Sequence, residues 1–439
     1  MGTGNVINKK RFSHRICSFA VDQKFVPWRV SNGLELWMER WVRTKIPFLY
    51  RLVRFRRAYD IVTPVSSGPK HHFFGYYDKS PWNFSENLLL AHEVTFNKRP
   101  PTENDPATIG VIRLNETDNF EPITQTYAWN WQQGSMLQWH PADPDNLILY
   151  NDRHDSAFVG IVKNIKNNYM AIYSRPFYAI APDGSSALSL NFSRLHEKRP
   201  GYGYAGIPDQ WSGEKFPDDD GIYHIDMETR ENRLIVSLRQ LALNNPTSEM
   251  HDTFHWVNHI QISTEGRRFA FLHCWQIGQD RWGERLYTSN MDGSGLHCLL
   301  DGNMVSHYDW MDNQRLLAWA RLPYSEGRFV LCDDSNKTTQ VIGDGILVAD
   351  GHCSFSPDRK WITTDTYPDR HGIRTLMLFR MYDSKKIDLA RLFSHEDIWG
   401  EIRCDLHPRW SRDGKQICVD SVHTGERQMY ILNLKGIIQ

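Results

Sequence analysis

Apolar and polar residues alternate along this chain in short runs that recur at a fixed interval. Four segments share one order: a polar start, an alternating strand, a D-G-like turn and a second apolar strand. They read HIQISTEGRRFAFLHCW from His259, HYDWMDNQRLLAWAR from His307, HCSFSPDRKWITTDTY from His352 and HPRWSRDGKQICVDS from His407. Their opening histidines stand 48, 45 and 55 residues apart. Glu265, Asp358 and Asp413 each fall six residues after the opening histidine, and Asp312 falls five after His307. Such turns join antiparallel strands. A third alternating run follows in each unit, at Arg285, Phe329, Leu376 and Gln428.

Weaker copies open at Tyr76, Met136 and Tyr178 in the first half, the last with a third strand from Gly221. That makes seven units with no long helical period between them. Repeats of this size predict a radial array of small sheets. The expected fold is all-β, a seven-bladed β-propeller over residues 61–439, because closure protects the sheet edges. The stretch 195–220 is long, aromatic and rich in Gly and Pro. It reads as a lid or specificity loop, since loops of this length usually carry function.

Residues 1–60 break the pattern. Leu34, Trp37, Met38, Trp41 and Val42 recur at helical spacing, and Pro47 interrupts them. A short basic helical extension is expected there. Its role is either peripheral contact with anionic lipid through residues 34–58 or packing on the propeller. Residues 1–58 carry thirteen Lys/Arg against three Asp/Glu, a net +10 that leaves −11 for the rest of a chain whose total is −1. That acidic remainder argues against nucleic-acid binding by the body. Aromatics make up 13% with 16 Trp, mostly expected as packing between blades. Seven cysteines without short spacing fit a reducing compartment. No signal peptide or spanning segment is evident, so a cytoplasmic location is expected, with possible membrane apposition through the helix.

In a propeller the start of each first strand and the end of each second strand share one face. Strand starts supply His72, Gln133, Tyr178, His259, His307, His352 and His407. Second-strand ends supply His92, Arg153, Arg194, His273, Arg321, Tyr367 and His423. This is a ring of His, Arg and Tyr. Each histidine alone is more often structural, but ionisable groups gathered about one cavity usually bind something. His and Tyr serve as acid and base near neutral pH, and Arg recognises carboxylates. That kit suits β-elimination on a uronic-acid glycan. The polar positions expected to bind substrate are Gln133, Arg194, Tyr202, Tyr204, Arg321 and His307. No P-loop or dinucleotide fingerprint is present, so no nucleotide cofactor is expected.

The stretches HHFFGYYDKSPW (71–82), LLLAHE (88–93) and WNWQQGSMLQWHP (129–141) resemble the ulvan lyases of polysaccharide lyase families 24 and 25. The HP-plus-SRDG pattern at 407–414 is more distantly similar to oligogalacturonate lyase. The resemblance covers about residues 70–435 and implies a seven-bladed propeller. It implies that His72 and His92 are paired catalytic histidines, that Arg153 and His259 bind the carboxylate, and that Tyr178, Tyr202 or Tyr204 is the catalytic tyrosine. It further implies a structural zinc on His273, Cys332 and His352, with Cys353, Cys404 or His407 as fourth ligand. The oligogalacturonate lyase pattern would instead place manganese on axial histidines, with calcium a further alternative. Arg403 and Asp405 stand near His407 where more ligands would be expected, which favours metal-independent chemistry beside a structural zinc. Two other readings remain: a non-catalytic scaffold in glycan assembly, docked by its basic helix, and a hydrolase using Asp78, Asp152 or Asp365.

Overall fold

The structure is a computed structural model and describes residues 61–438 apart from 115, 117–119, 279–280, 303 and 323–324. The basic segment expected at 1–60, with its helix at 34–58, lies outside these residues. The described chain forms seven four-stranded antiparallel sheets arranged as a seven-bladed β-propeller. Blades 1 to 6 span 71–126, 138–173, 179–237, 255–300, 305–341 and 354–393. Blade 7 takes three strands from 409–433 and its outermost strand, Val62–Pro64, from the other end of the chain. Val62 pairs with Leu432 and Pro64 with Tyr430, and Ser66 Oγ donates to Gln428 Oε1 at 2.6 Å. Segments more than 360 residues apart therefore close one sheet, which leaves no open edge in the ring.

Blades stack face to face, so a central strand is covered on both sides. Leu88–Val94 shows this: Leu88, Leu89, Leu90 and Ala91 are consecutive and all buried. The fourth strand, Phe120–Thr126, faces solvent and regains polar positions. The regular turn residues have a local cause. Ser263, Ser356 and Ser411 are buried, and their hydroxyls accept the backbone N–H groups of Arg268, Trp361 and Gln416 five residues on. Ser356 and Ser411 also donate to Asp358 and Asp413 at 2.7 Å. Some tryptophans pack between blades. Trp310 and Trp410 donate their indole N–H groups to Gln261 O and Ser354 O of the preceding blades.

Two expectations shift by a few residues. The first strand of blade 1 is His71–Phe73, not the run opening at Tyr76. Blade 3's second strand ends at Ser189, and Arg194 lies instead in a helix, Phe192–Lys198. Asn191 caps that helix by accepting from Arg194 N at 3.0 Å. From 199 to 220 there is no strand, as expected. A second short helix, Leu238–Leu243, follows blade 3. Among the described residues no helix is long and apolar enough to cross a membrane.

A histidine cluster on the propeller axis

The inner strands end where the backbone must turn into the channel. Met136, His259 and His407 occupy equivalent repeat positions, and all three adopt positive φ, at 56°, 50° and 44°. Non-glycine residues rarely do so, and such strain gathers at sites the surroundings enforce. Gly75, at φ 130°, follows the first strand of blade 1, and a Cβ there would lie 2.8 Å from the Gln133 backbone. The bend it allows sends Tyr76 and Tyr77 into the axis.

Around those two rings the four opening histidines meet. Tyr77 lies 5.5, 5.7, 5.3 and 6.3 Å, centroid to centroid, from His259, His307, His352 and His407. Tyr76 sits 5.0 Å from His259 and 5.1 Å from His407. His352 is 4.0 Å from His307 and 4.3 Å from His407. Side chains up to 331 positions apart thus share one space.

Hydrogen bonds fix three of the rings. His307 Nδ1 bonds Asp350 at 3.0 Å, His352 Nδ1 bonds Asp365 at 2.9 Å, and His407 Nδ1 donates to Gly75 O at 2.7 Å. The Nε2 atoms of His352 and His407 are buried without a partner. Both approach Asp405 Oδ2, at 3.9 and 4.0 Å. Arg403 Nε donates to the same oxygen at 2.6 Å, and Arg374 Nη1 lies 2.8 Å from Oδ1. Burial pushes the Asp405 carboxyl up, but Arg403 and Arg374 outweigh it and hold it well below the usual carboxylate range. Burial lowers His352 and takes His259 and His407 well below the ordinary histidine value, helped by neighbouring histidines. His259, His352 and His407 are therefore neutral imidazoles beside an ionised carboxylate.

His352, Asp405 and His407 are the one group among the described residues whose ligand atoms lie close enough to hold a metal ion, all within 4.8 Å. Two unpartnered imidazole nitrogens and a carboxylate oxygen suit a divalent transition metal, and the His352–Asp365 bond is the outer contact that orients a metal-ligating histidine. Calcium, which takes oxygen ligands, fits poorly. No cysteine belongs to the group. The zinc quartet expected on His273, Cys332, His352 and His407 is not assembled. His273 Nε2 bonds His255 Nδ1 at 2.8 Å inside blade 4, and Cys332 is buried on the third strand of blade 5, away from the axis.

The residues paired by resemblance also part. His72 registers with Glu93 and Phe73 with His92. Side chains alternate along a strand, so His72 and His92 occupy opposite faces of blade 1. His72 bonds Gln428 and Glu93 between blades 7 and 1. His92 is fully buried, accepts from Ser135 N at 3.2 Å, and burial takes it down to about 4. Arg153 stands at the rim of blade 2, donating to Glu103 O. Of these four only His259 reaches the axis, with Nε2 3.5 Å from Tyr77 Oη and 3.9 Å from Asp78.

Arg194 is not free for substrate. It is buried, and its donors go to His255 O, Asp209, Trp211 O, Glu214 O and Lys215 O. It clamps the 195–220 loop. Gln133 donates to Tyr178 Oη at 2.7 Å, and Tyr204 accepts from Asn151 while stacking 4.3 Å from Phe192, so all three are wall residues. Tyr202 meets the axis, accepting from Arg403 at 2.7 Å. Arg321 is exposed at the end of its strand. The three carboxylates considered for hydrolysis are each engaged: Asp78 by Lys79, Asp152 by backbone N–H groups, Asp365 by His352. Tyr76, Tyr77, Asp350 and Arg374 were not among the site residues expected from the sequence, because only the bend at Gly75 and the closure of the ring bring them inward.

The fold has solved counterparts. An oligogalacturonate lyase in complex with manganese superposes with a TM-score of 0.63 at 15% identity, over 85% of this chain and 92% of that one. An oligogalacturonate lyase from Vibrio parahaemolyticus gives 0.61 at 12%, over 85% and 93%. At such identities the likeness establishes the shared propeller and nothing finer. No family model and no curated protein matches the chain.

Proposed function

We infer that the protein is a lyase acting on uronic-acid-containing oligosaccharides by β-elimination. The observation that carries this reading is the convergence of His307, His352 and His407 on one axis beside Arg403 and Arg374. The fold shared with oligogalacturonate lyases is consistent with it. Elimination needs the uronate carboxylate neutralised, the C5 proton removed and the departing O4 protonated. Cleavage of the C5–H bond supplies the electrons of a C4–C5 double bond as the C4–O4 bond breaks.

His307 is the base in this scheme. Asp350 orients it through Nδ1, which leaves Nε2 toward the channel. Arg403, held between Tyr202 and Tyr367 with ring centroids 5.9 Å from each, presents positive charge to the carboxylate. Tyr202 or Tyr367 returns a proton to O4. His352, Asp405 and His407 would hold a divalent ion such as manganese, and a bound ion supplies further charge neutralisation at the carboxylate.

The test is a panel of uronate glycans followed by the ultraviolet absorbance of the unsaturated uronate product. His307→Ala is expected to lose about a hundredfold in rate or more. No absorbance with any glycan, or an unimpaired His307→Ala variant, would overturn the reading.

A further inference from the structure

One small cavity opens beside the residues of that scheme, with His307, Tyr202 and Tyr367 in its wall. It measures about 80 Å³ and lies between blades 4 and 5, with Tyr76 at its inner end and Arg199 of the 195–220 loop above. Two charged residues line it without meeting each other. The Arg199 guanidinium stacks over Trp282 at 3.8 Å and over Tyr202 at 4.9 Å. Among the described residues no carboxylate lies within ion-pair distance of it. Glu284 opens onto the same cavity, where it accepts from Trp282 Nε1 at 3.2 Å and from the Val305 backbone N–H, and from no cation. An acid and a guanidinium that share a pocket usually neutralise one another, and here they do not.

The geometry has a clear chemical meaning. A guanidinium lying over aromatic rings leaves its N–H edge to a further partner, and that edge matches a carboxylate in two-point fashion. The rings themselves give a sugar a flat apolar wall. We propose that this pocket is a receptor for one uronate carboxylate of a bound oligosaccharide, with Arg199 as the charged partner and Glu284 beside it as a second contact. The sugar class rests on the uronate reading of the channel; the carboxylate receptor rests on the pocket alone.

Glu284 makes the proposal sharp. It is partly exposed yet packed among protein groups, and burial pushes its carboxyl up to about 7 despite the Trp282 and Val305 bonds and the positive charge of Arg199. The titratable groups sharing the cavity with it are Arg199 and Tyr202 from the loop, Cys274 from the neighbouring strand, His307 from blade 5, and Tyr76 and Tyr367. As pH rises through about 7, Glu284 gains a negative charge beside the bound carboxylate, so uronate binding should weaken from pH 6 to pH 8.

The experiment is calorimetric titration of the full chain with galacturonate and, separately, its methyl ester. Wild type is expected to prefer the acid, with affinity falling between pH 6 and 8. Arg199→Ala should weaken acid binding at least about tenfold and leave the ester unchanged. Glu284→Gln, always neutral, should keep acid binding at pH 8 and lose the pH dependence. Equal binding of acid and ester by wild type, no binding of either, full affinity in Arg199→Ala, or an unchanged pH profile in Glu284→Gln would each overturn the proposal. Arg199-dependent binding in a protein that eliminates no glycan would sink the lyase reading and uphold this one. A lyase whose Arg199→Ala variant binds normally would do the reverse.

Discussion

Replacing Arg194 with Ala tests how the 195–220 loop is held. Arg194 and Asp209 form a sealed ion pair, at 1% and 0% side-chain exposure. The same guanidinium holds Trp211 O, Glu214 O and Lys215 O on the loop and His255 O on blade 4. Truncation leaves Asp209 as an uncompensated buried charge, which costs about 3–5 kcal/mol if the loop stays closed. Unfolding entropy near ~2.1 cal/mol/K per residue gives ~0.8 kcal/mol/K for a body of ~380 residues, so 4 kcal/mol corresponds to a Tm drop of about 5 °C. If the loop opens instead, Asp209 is hydrated and the Tm barely moves, but the backbone between 199 and 220 becomes a protease site. Scanning calorimetry and limited proteolysis together cover both outcomes. Arg194→Lys should fall between, since an ammonium can keep Asp209 but cannot span the carbonyls. A variant with an unchanged Tm and no new cut in the loop would refute the clamp.

Three further outcomes follow from the same structure. His92 sits near 4 when folded and near 6.5 when unfolded, so the unfolded chain binds a proton first as pH falls; stability is lost between about 6.5 and about 4, at up to ~1.4 kcal/mol per pH unit, and His92→Gln should flatten Tm against pH there. An unaltered slope would exclude His92 as a source of acid sensitivity. Divalent metal retained after dialysis, measured by elemental analysis, should disappear in His352→Ala and His407→Ala and persist in Cys332→Ser; the opposite pattern would restore the thiolate site. A chain starting at residue 67 should melt several degrees below one starting at 61 and aggregate more readily, because blade 7 loses its outer strand and exposes an edge; equal melting would show that closure adds little.

The propeller was legible because each blade repeats one turn, and that turn has a physical cause in Ser263, Ser356 and Ser411. The meeting of His259, His307, His352 and His407 was legible for the same reason: equivalent positions in a radial repeat must face one axis. His72 and His92 were not separable in the sequence, because a pairing register decides which face a strand residue takes, and the register appears only once both strands are placed. Cys332 looked like a ligand by residue type, but a third-strand position lies too far from the axis. Arg194 looked like a substrate cation, and only the path of the following loop reveals that its donors are already used. Tyr76 and Tyr77 were visible as letters in GYYD, yet nothing in their spacing foretold the turn at Gly75 that carries them inward.

The strand Val62–Pro64 also sets a timetable. Ser66 and its partner Gln428 are separated by 362 residues. At about 5–20 residues per second, a ribosome needs roughly 20–70 s to deliver the partner after the first strand has emerged. Throughout that interval the growing ring stays open with a lone strand waiting, and the axis has no seventh wall. The channel and everything bound in it therefore come into being only once residues 409–433 have been made.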